Sequence, residues 1–133
     1  PMTSIASDGP LTIFNIGSPH PRTYGTFARV LGSYVRERRI ISLEEAIRKM
    51  TSLPAKILSI NKRGLIKVGY YADITIFDKD TIIDKATFED PHQYAEGVNT
   101  VIVNGIIVVS GGMHNGNLPG RVLYGPGYVQ DIE

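Results

Sequence analysis

The chain has 133 residues, with 14 Lys+Arg against 13 Asp+Glu and no cysteine. That length suits one unit, and 42% hydrophobic with 20% charged residues is ordinary globular composition. A net charge of +1 gives no footprint for nucleic acid or an anionic membrane, no apolar run approaches the ~20 residues of a bilayer span, and the lack of cysteine excludes a disulfide framework, a CxxC zinc site and a thiol nucleophile.

Met2 to Ser7 reads as a short strand that stops at the turn cluster Ser7-Asp8-Gly9-Pro10. The start, Pro1-Met2-Thr3-Ser4-Ile5, carries no charged n-region and no signal-type apolar core, so it reads as the interior of a longer protein. Leu11 to Ser18 is apolar but runs into Gly17-Ser18-Pro19, which predicts a loop. A helix follows from Thr23, with Tyr24, Phe27, Val30, Leu31, Tyr34 and Val35 spaced as one apolar face. Gly25 and Gly32 each weaken that helix by about 1 kcal/mol relative to Ala, so packing must supply its stability.

Ser42-Leu43-Glu44-Glu45 is a capping box that predicts a second helix, with Leu43, Ala46, Ile47 and Met50 facing inward. A short third helix is predicted with Ser52 as cap, Pro54 in its first turn and Ile57 and Leu58 inward, ending at Asn61-Lys62-Arg63-Gly64. The period then changes to that of strands. Ala72, Ile74 and Ile76 alternate with Asp73, Thr75 and Phe77. Val98 to Val103 and Ile106 to Ser110 flank Asn104-Gly105, the dipeptide a type I′ hairpin turn prefers. Gly111-Gly112 closes the hairpin, and the Gly- and Pro-rich remainder reads as an irregular tail. A switch from helices to strands near residue 60, with too few strands for a closed barrel or sandwich, suggests pieces of two domains.

Few residues offer chemistry. Asp8 follows an apparent strand, the place where barrel enzymes carry catalytic groups, although a plain turn aspartate is the simpler reading of Asp-Gly alone. In Ser18-Pro19-His20-Pro21-Arg22, two prolines hold His20 extended, and Arg22 precedes a helix start, where a guanidinium can take a carboxylate bidentately. On residues alone, anchoring the loop is the simpler role for both. His92 and His114 lie far from His20 in sequence and form no HxH or HExxH, so a metal site built from this chain alone is rejected. Tyr70, Tyr71 and Phe77 read as core or interface, Arg36-Glu37-Arg38-Arg39 as a solvated helix end, and Gly111-Gly112 lacks the partners of a phosphate loop.

These residues also carry a resemblance. Ser7-Asp8-Gly9, His20-Pro21-Arg22-x-Tyr24-Gly25-Thr26-Phe27, Leu43-Glu44-Glu45-Ala46-Ile47, Ala86-Thr87-Phe88-Glu89-Asp90-Pro91-His92-Gln93-Tyr94 and Pro119-Gly120-Arg121-Val122-Leu123 together resemble the C-terminal part of the N-acyl-D-amino-acid deacylases, or D-aminoacylases. Arg63-Gly64-Leu65-Ile66-Lys67-x-Gly69-x-x-Ala72-Asp73 resembles the wider amidohydrolase superfamily.

The resemblance implies an α+β fragment: the last strand and helices of a (β/α)8 metal-dependent hydrolase barrel, followed by C-terminal strands of a small β-sandwich domain. Residues 1–62 would be the barrel piece, and 63–133 the sandwich strands and tail. It implies zinc in the full-length parent, none held by this chain alone, and hydrolysis of the amide of N-acyl-D-amino acids. By the match, Asp8 is the general base and a weak or outer contact of the metal, Arg22 pairs with the substrate carboxylate, and His20 shapes the loop beside it. The other metal ligands are absent, so the chain alone is expected to be inactive. Its partners are expected to be the small-molecule substrate and the missing N-terminal polypeptide or a second copy, not nucleic acid or membrane, with the cytoplasm as default compartment. Two alternatives stay open: a dihydropyrimidinase-like hydrolase of cyclic amides, and a non-catalytic interaction domain.

Overall fold

The structure is a computed structural model describing residues 3–128. Residues 3–7 run extended but pair with no strand. Their one backbone tie to a regular element is the Ile5 amide on the Lys49 carbonyl at 3.1 Å, with the Lys49 ammonium on the Thr3 carbonyl at 2.7 Å. The expected first strand is therefore not formed over its described part, because no neighbouring strand completes a ladder; Met2 lies outside the described residues.

Helix α1 spans Arg22–Arg29 and runs directly into a π-helical stretch, Val30–Glu37. The i→i+5 bonds of that stretch, such as Arg38 N–H to the Ser33 carbonyl at 2.9 Å, turn the chain by less than the ~100° per residue of an α-helix. The predicted apolar face is displaced accordingly. Val30 and Leu31 are buried as expected, but Phe27 and Tyr34 are exposed, and the buried face is completed by Gly25, Ala28, Gly32 and Ser33. Small residues line it because another segment lies against it. A Cβ on Gly25 would stand 2.7 Å from the Asp84 Cβ, and one on Gly32 would stand 2.6 Å from the Ile82 carbonyl oxygen.

Residues 79–84 are fixed there by two arginines. Arg36 donates to the carbonyls of Ile82 at 2.6 Å and Lys79 at 3.3 Å, and Arg29 pairs with Asp84 at 2.6 Å. Arg36 is thus a tertiary tie and not part of a solvated helix end. The segment is gripped from its other side by Gly97, whose φ of +85° and missing side chain let its backbone close on Ile82. Ile82 is 2% exposed, and burying such a side chain is worth roughly 1.5–3 kcal/mol. It joins Ala28, Val30, Leu31 and Ala46 in the core, with Ile5, Leu43, Phe77 and Val98 packed around them.

Helix α2, Leu43–Met50, starts as its sequence predicts: the Ser42 hydroxyl accepts the Glu45 amide at 3.2 Å. The Glu45 carboxylate does not reach back. It takes Arg48 bidentately at 2.6 and 2.7 Å, which holds the acid below and the guanidinium above their ordinary values, mainly through that hydrogen-bonded contact. Ala46 is fully buried, while Ile47 sits at the exposed margin.

Helix α3, Ser52–Ile57, differs from expectation at both ends. Its N-cap is Thr51, not Ser52, because only one residue separates it from α2; the Thr51 hydroxyl instead donates back to the Ile47 carbonyl at 2.7 Å. Its C-terminus is a Schellman turn. Ser59 has φ +54°, its amide bonds the Lys56 carbonyl, and the Ile60 amide bonds the Ala55 carbonyl at 2.8 Å, closing the helix before Asn61. Ala55 faces inward, and Ile57 and Leu58 are exposed.

The C-terminal half carries one antiparallel sheet in the order β1-β2-β3-β4, from Ile74–Phe77, Val98–Val103, Ile106–Ser110 and Met113–His114. The pairing register shifts between Ile76 and Phe77, and the expected alternation fails in this strand: Ile76 is exposed and Phe77 packs toward the core. Asn104 and Gly105 both have positive φ, +50° and +82°, as the predicted I′ turn requires. Gly111-Gly112 does not end the sheet: it forms a second turn into β4, so the irregular tail begins later. Residues 129–133 of that tail lie outside the described residues. No helix among the described residues is long and apolar enough to cross a membrane.

Arg63 anchors the sheet to the helical half. Its side chain, only 10% exposed, pairs with Asp73, donates to the Asn104 amide oxygen at 2.5 Å and lies 4.2 Å over the Tyr71 ring. The Arg121 guanidinium lies 4.6 Å from the centroid of the same ring, so Tyr71 meets two guanidinium groups, an interface role. Burial pushes the Asp73 carboxyl up, but the Asn104 amide and the Arg63 guanidinium outweigh it, and the net shift is downward.

Candidate active site

The candidate site lies where the extended N-terminal segment meets the start of α1. Asp8 takes φ +49°, which turns its backbone out of the extended run. Gly9 then lies flat on the first turn of α1: a Cβ there would stand 2.9 Å from the Thr23 Cα. This close approach places the Asp8 carboxylate 3.0 Å from Nη2 of Arg22. The two residues singled out in the sequence are therefore neighbours, although 14 positions separate them. Both are accessible, with side-chain exposures of 86% for Asp8 and 43% for Arg22.

His20 lies beside them in a local role. Its Nδ1 accepts the Arg22 amide at 3.0 Å, and the Thr23 amide bonds the His20 carbonyl. These contacts satisfy two donors that a helix start leaves open. The His20 ring also meets Phe88 edge-on at 4.9 Å. A cleft of about 500 Å³ opens here, lined by His20, Arg22, Arg29, Asp84, Phe88 and Glu89 among others. The Thr23 hydroxyl is buried beneath without a hydrogen-bond partner.

Residues 9–21 form a loop whose ends meet at the Asp8–Arg22 pair. His92, set aside in the sequence, is brought to it. Its Nε2 bonds the Gly17 carbonyl at 3.0 Å, and its Nδ1 meets the Tyr24 hydroxyl at 2.9 Å and the Asn15 amide at 3.2 Å. The amide of Asn15 can only donate, so Nδ1 accepts and Nε2 carries the proton. Phe14 stacks on Tyr94 at 5.0 Å and meets the rings of Tyr24 and His92 edge-on. Sequence reasoning missed this role because 77 residues separate Asn15 from His92. The available signal was the aromatic pair His92 and Tyr94 behind Pro91. His114 stands apart from this group in β4, with its Nδ1 on the Gly116 amide.

Among the described residues no group of three or more His, Cys, Asp or Glu could hold a metal ion. Asp8 supplies one exposed carboxylate: enough to act beside a metal held by other residues, not enough to hold it.

The chain is similar to known proteins over most of its length. The amidohydrolase family matches residues 2–109. The N-acyl-D-aspartate deacylase of Alcaligenes xylosoxydans xylosoxydans is 45% identical over 92% of this chain. The chain spans only 24% of that relative's length. Among solved structures, a D-aminoacylase with a binuclear metal centre superposes with a TM-score of 0.78 at 46% identity, over 80% of this chain and 22% of its own. The N-acyl-D-glutamate deacylase of Bordetella bronchiseptica, complexed with zinc and a phosphonate mimic of the tetrahedral intermediate, gives 0.68 at 46% identity, over 68% of this chain and 19% of its own. The chain belongs to the amidohydrolase family.

Proposed function

We propose that the chain is the C-terminal part of a zinc-dependent deacylase that hydrolyses N-acyl-D-amino acids to a carboxylate and a free D-amino acid. Residues 1–62 are then the end of a (β/α)8 barrel and 63–133 the strands and tail of a small β-sandwich. The observation that carries this reading is the Asp8–Arg22 pair, whose arginine also lines the cleft, in a chain about 45% identical to deacylases of acidic D-residues.

The roles follow from chemistry. Zinc, bound elsewhere in the full-length protein, would supply an acidified water (pKa ~7) and a Lewis acid for the amide carbonyl, with Asp8 beside it. Asp8 accepts the proton of the attacking water at a carboxylate oxygen and delivers it to the leaving nitrogen as the C–N bond breaks. Arg22 binds the substrate's α-carboxylate: one guanidinium nitrogen holds Asp8, and a guanidinium offers five N–H donors in all. The same arginine thus sets the distance between the base and the bound substrate. His20 fixes the Arg22 backbone.

The test is hydrolysis of N-acetyl-D-amino acids by the full-length protein, with zinc content measured in parallel. Asp8→Asn should lower kcat by ~10²–10⁴-fold while zinc stays bound. Zinc-loaded full-length protein that leaves N-acyl-D-amino acids intact would overturn the proposal.

A further inference from the structure

We propose that His92 is a positioning residue for the Asp8–Arg22 site, an inference that rests on the deacylase reading above. The loop of residues 9–21 leaves at Asp8 and returns at Arg22, so its shape decides how those two side chains face each other. Little packing holds it. Leu11, Ile13 and Ile16 are 103%, 70% and 62% exposed. Its fixed points are the Phe14 stack on Tyr94, the Thr12 hydroxyl on Tyr24, and His92.

His92 grips the part of the loop that most needs it. Asn15 and Gly17 both take left-handed backbone conformations, φ +63° and +72°. His92 bonds the amide of the first and the carbonyl of the second, one ring nitrogen on each. The same Nδ1 meets the hydroxyl of Tyr24, two residues beyond Arg22 in the first turn of α1. One imidazole therefore ties the loop's crown to the helix that carries the arginine. A side chain that could only donate or only accept would lose one of the two backbone bonds. His92 comes from a segment far along the chain, between the buried Pro91 and Tyr94, whose ring meets Tyr24 at 5.6 Å.

The experiment uses the full-length zinc enzyme with three variants. His92→Phe keeps the ring contacts and removes both nitrogens; His92→Gln restores a donor and an acceptor; Tyr24→Phe removes one hydroxyl and serves if the first variant folds poorly. Hydrogen exchange of residues 11–18 is read together with kinetics on an N-acetyl-D-amino acid and on its α-carboxamide, which lacks the group Arg22 binds.

His92→Phe is expected to speed exchange in 11–18 and to raise KM for the carboxylate substrate by ~10-fold, with little change for the carboxamide. Tyr24→Phe should act in the same direction more weakly, and His92→Gln should recover most of both effects. Unchanged exchange, or equal KM effects on the two substrates, would overturn the assignment. Failure of the wild-type enzyme to hydrolyse the carboxylate substrate would be a failure of the deacylase reading instead, and the exchange comparison does not depend on it.

Discussion

Gly32 and Ile82 pack backbone to backbone: a single methyl group on Gly32 would stand 2.6 Å from the Ile82 carbonyl oxygen and 2.6 Å from the Ile83 Cδ1. The same carbonyl takes the Arg36 guanidinium at 2.6 Å, so it cannot move away without breaking that bond. Gly32→Ala gains about 1 kcal/mol of helix propensity but overpacks this crossing, which costs ~1–3 kcal/mol. The expected result is a net loss of stability in urea unfolding. A gain would mean that the 79–84 segment is free to shift.

Arg36→Met tests the other half of that crossing. The substitution keeps much of the side-chain volume and removes the donor to Ile82 and Lys79. A lost bond to a charged donor, with a part-buried carbonyl left unpaired, should cost ~1.5–3 kcal/mol. Arg39→Met, three residues on, where the side chain is exposed, should lie within ±0.5 kcal/mol. Equal effects of the two would mean that Arg36 is as solvated as its sequence suggests.

Those contacts mark what the sequence could and could not show. The Ser42 cap, the Asn104-Gly105 turn and the strand runs beside it rest on neighbours within a few residues, and they were legible. The π-helical stretch was not, because the apolar spacing of Val30–Glu37 reads as an ordinary α-helical face. The 79–84 segment crosses this stretch at Gly32, a contact that no local spacing announces. Gly25 and Gly32 read as helix defects, whereas seven-residue spacing placed both on the face of a crossing. The alternation read over residues 72–77 likewise failed at Ile76, which is exposed while Phe77 packs on the core. Asp8 and Arg22 stood out as residue types in turn and pre-helix positions. Their contact depends on Gly9 lying against Thr23, which spacing alone does not reveal.

Asp73 gives the fold an acid-sensitive point. Its carboxyl is held below its ordinary value, so its contribution to stability is present above the unfolded pKa of ~3.9. That contribution is lost as pH falls through the lowered folded value, when the acid can no longer pair with Arg63 or accept the Asn104 amide. Asp73→Asn should therefore be less stable than wild type by a constant amount from pH 5 to 8, and the gap should close below about pH 4. Urea titrations at several pH values check this. A gap that widens in acid would contradict the sign.

Ser42→Ala removes the acceptor of the Glu45 amide and should cost ~1 kcal/mol, while Ser42→Asp should be tolerated because a carboxylate also caps the N-terminus. Thermal unfolding of both variants is sufficient. Loss with aspartate as large as with alanine would mean that the hydroxyl is needed for something other than capping.

Arg22→Lys separates charge from geometry in the proposed site. Lysine keeps the positive charge near Asp8 but loses the planar fork that allows one side chain to hold two carboxylates at once. If Arg22 binds both the base and the substrate's α-carboxylate, lysine must choose between them. The expected result in the full-length enzyme is a rise in KM of ~10-fold or more, with kcat reduced less. D-aspartate and D-glutamate derivatives make a useful control, since their side-chain carboxylates are not the group assigned to Arg22. Both should lose affinity to the same degree as a neutral D-residue. A loss confined to the acidic substrates would move Arg22 from the α-carboxylate to the side-chain pocket. A fall in kcat at constant KM would place it on the reacting groups instead.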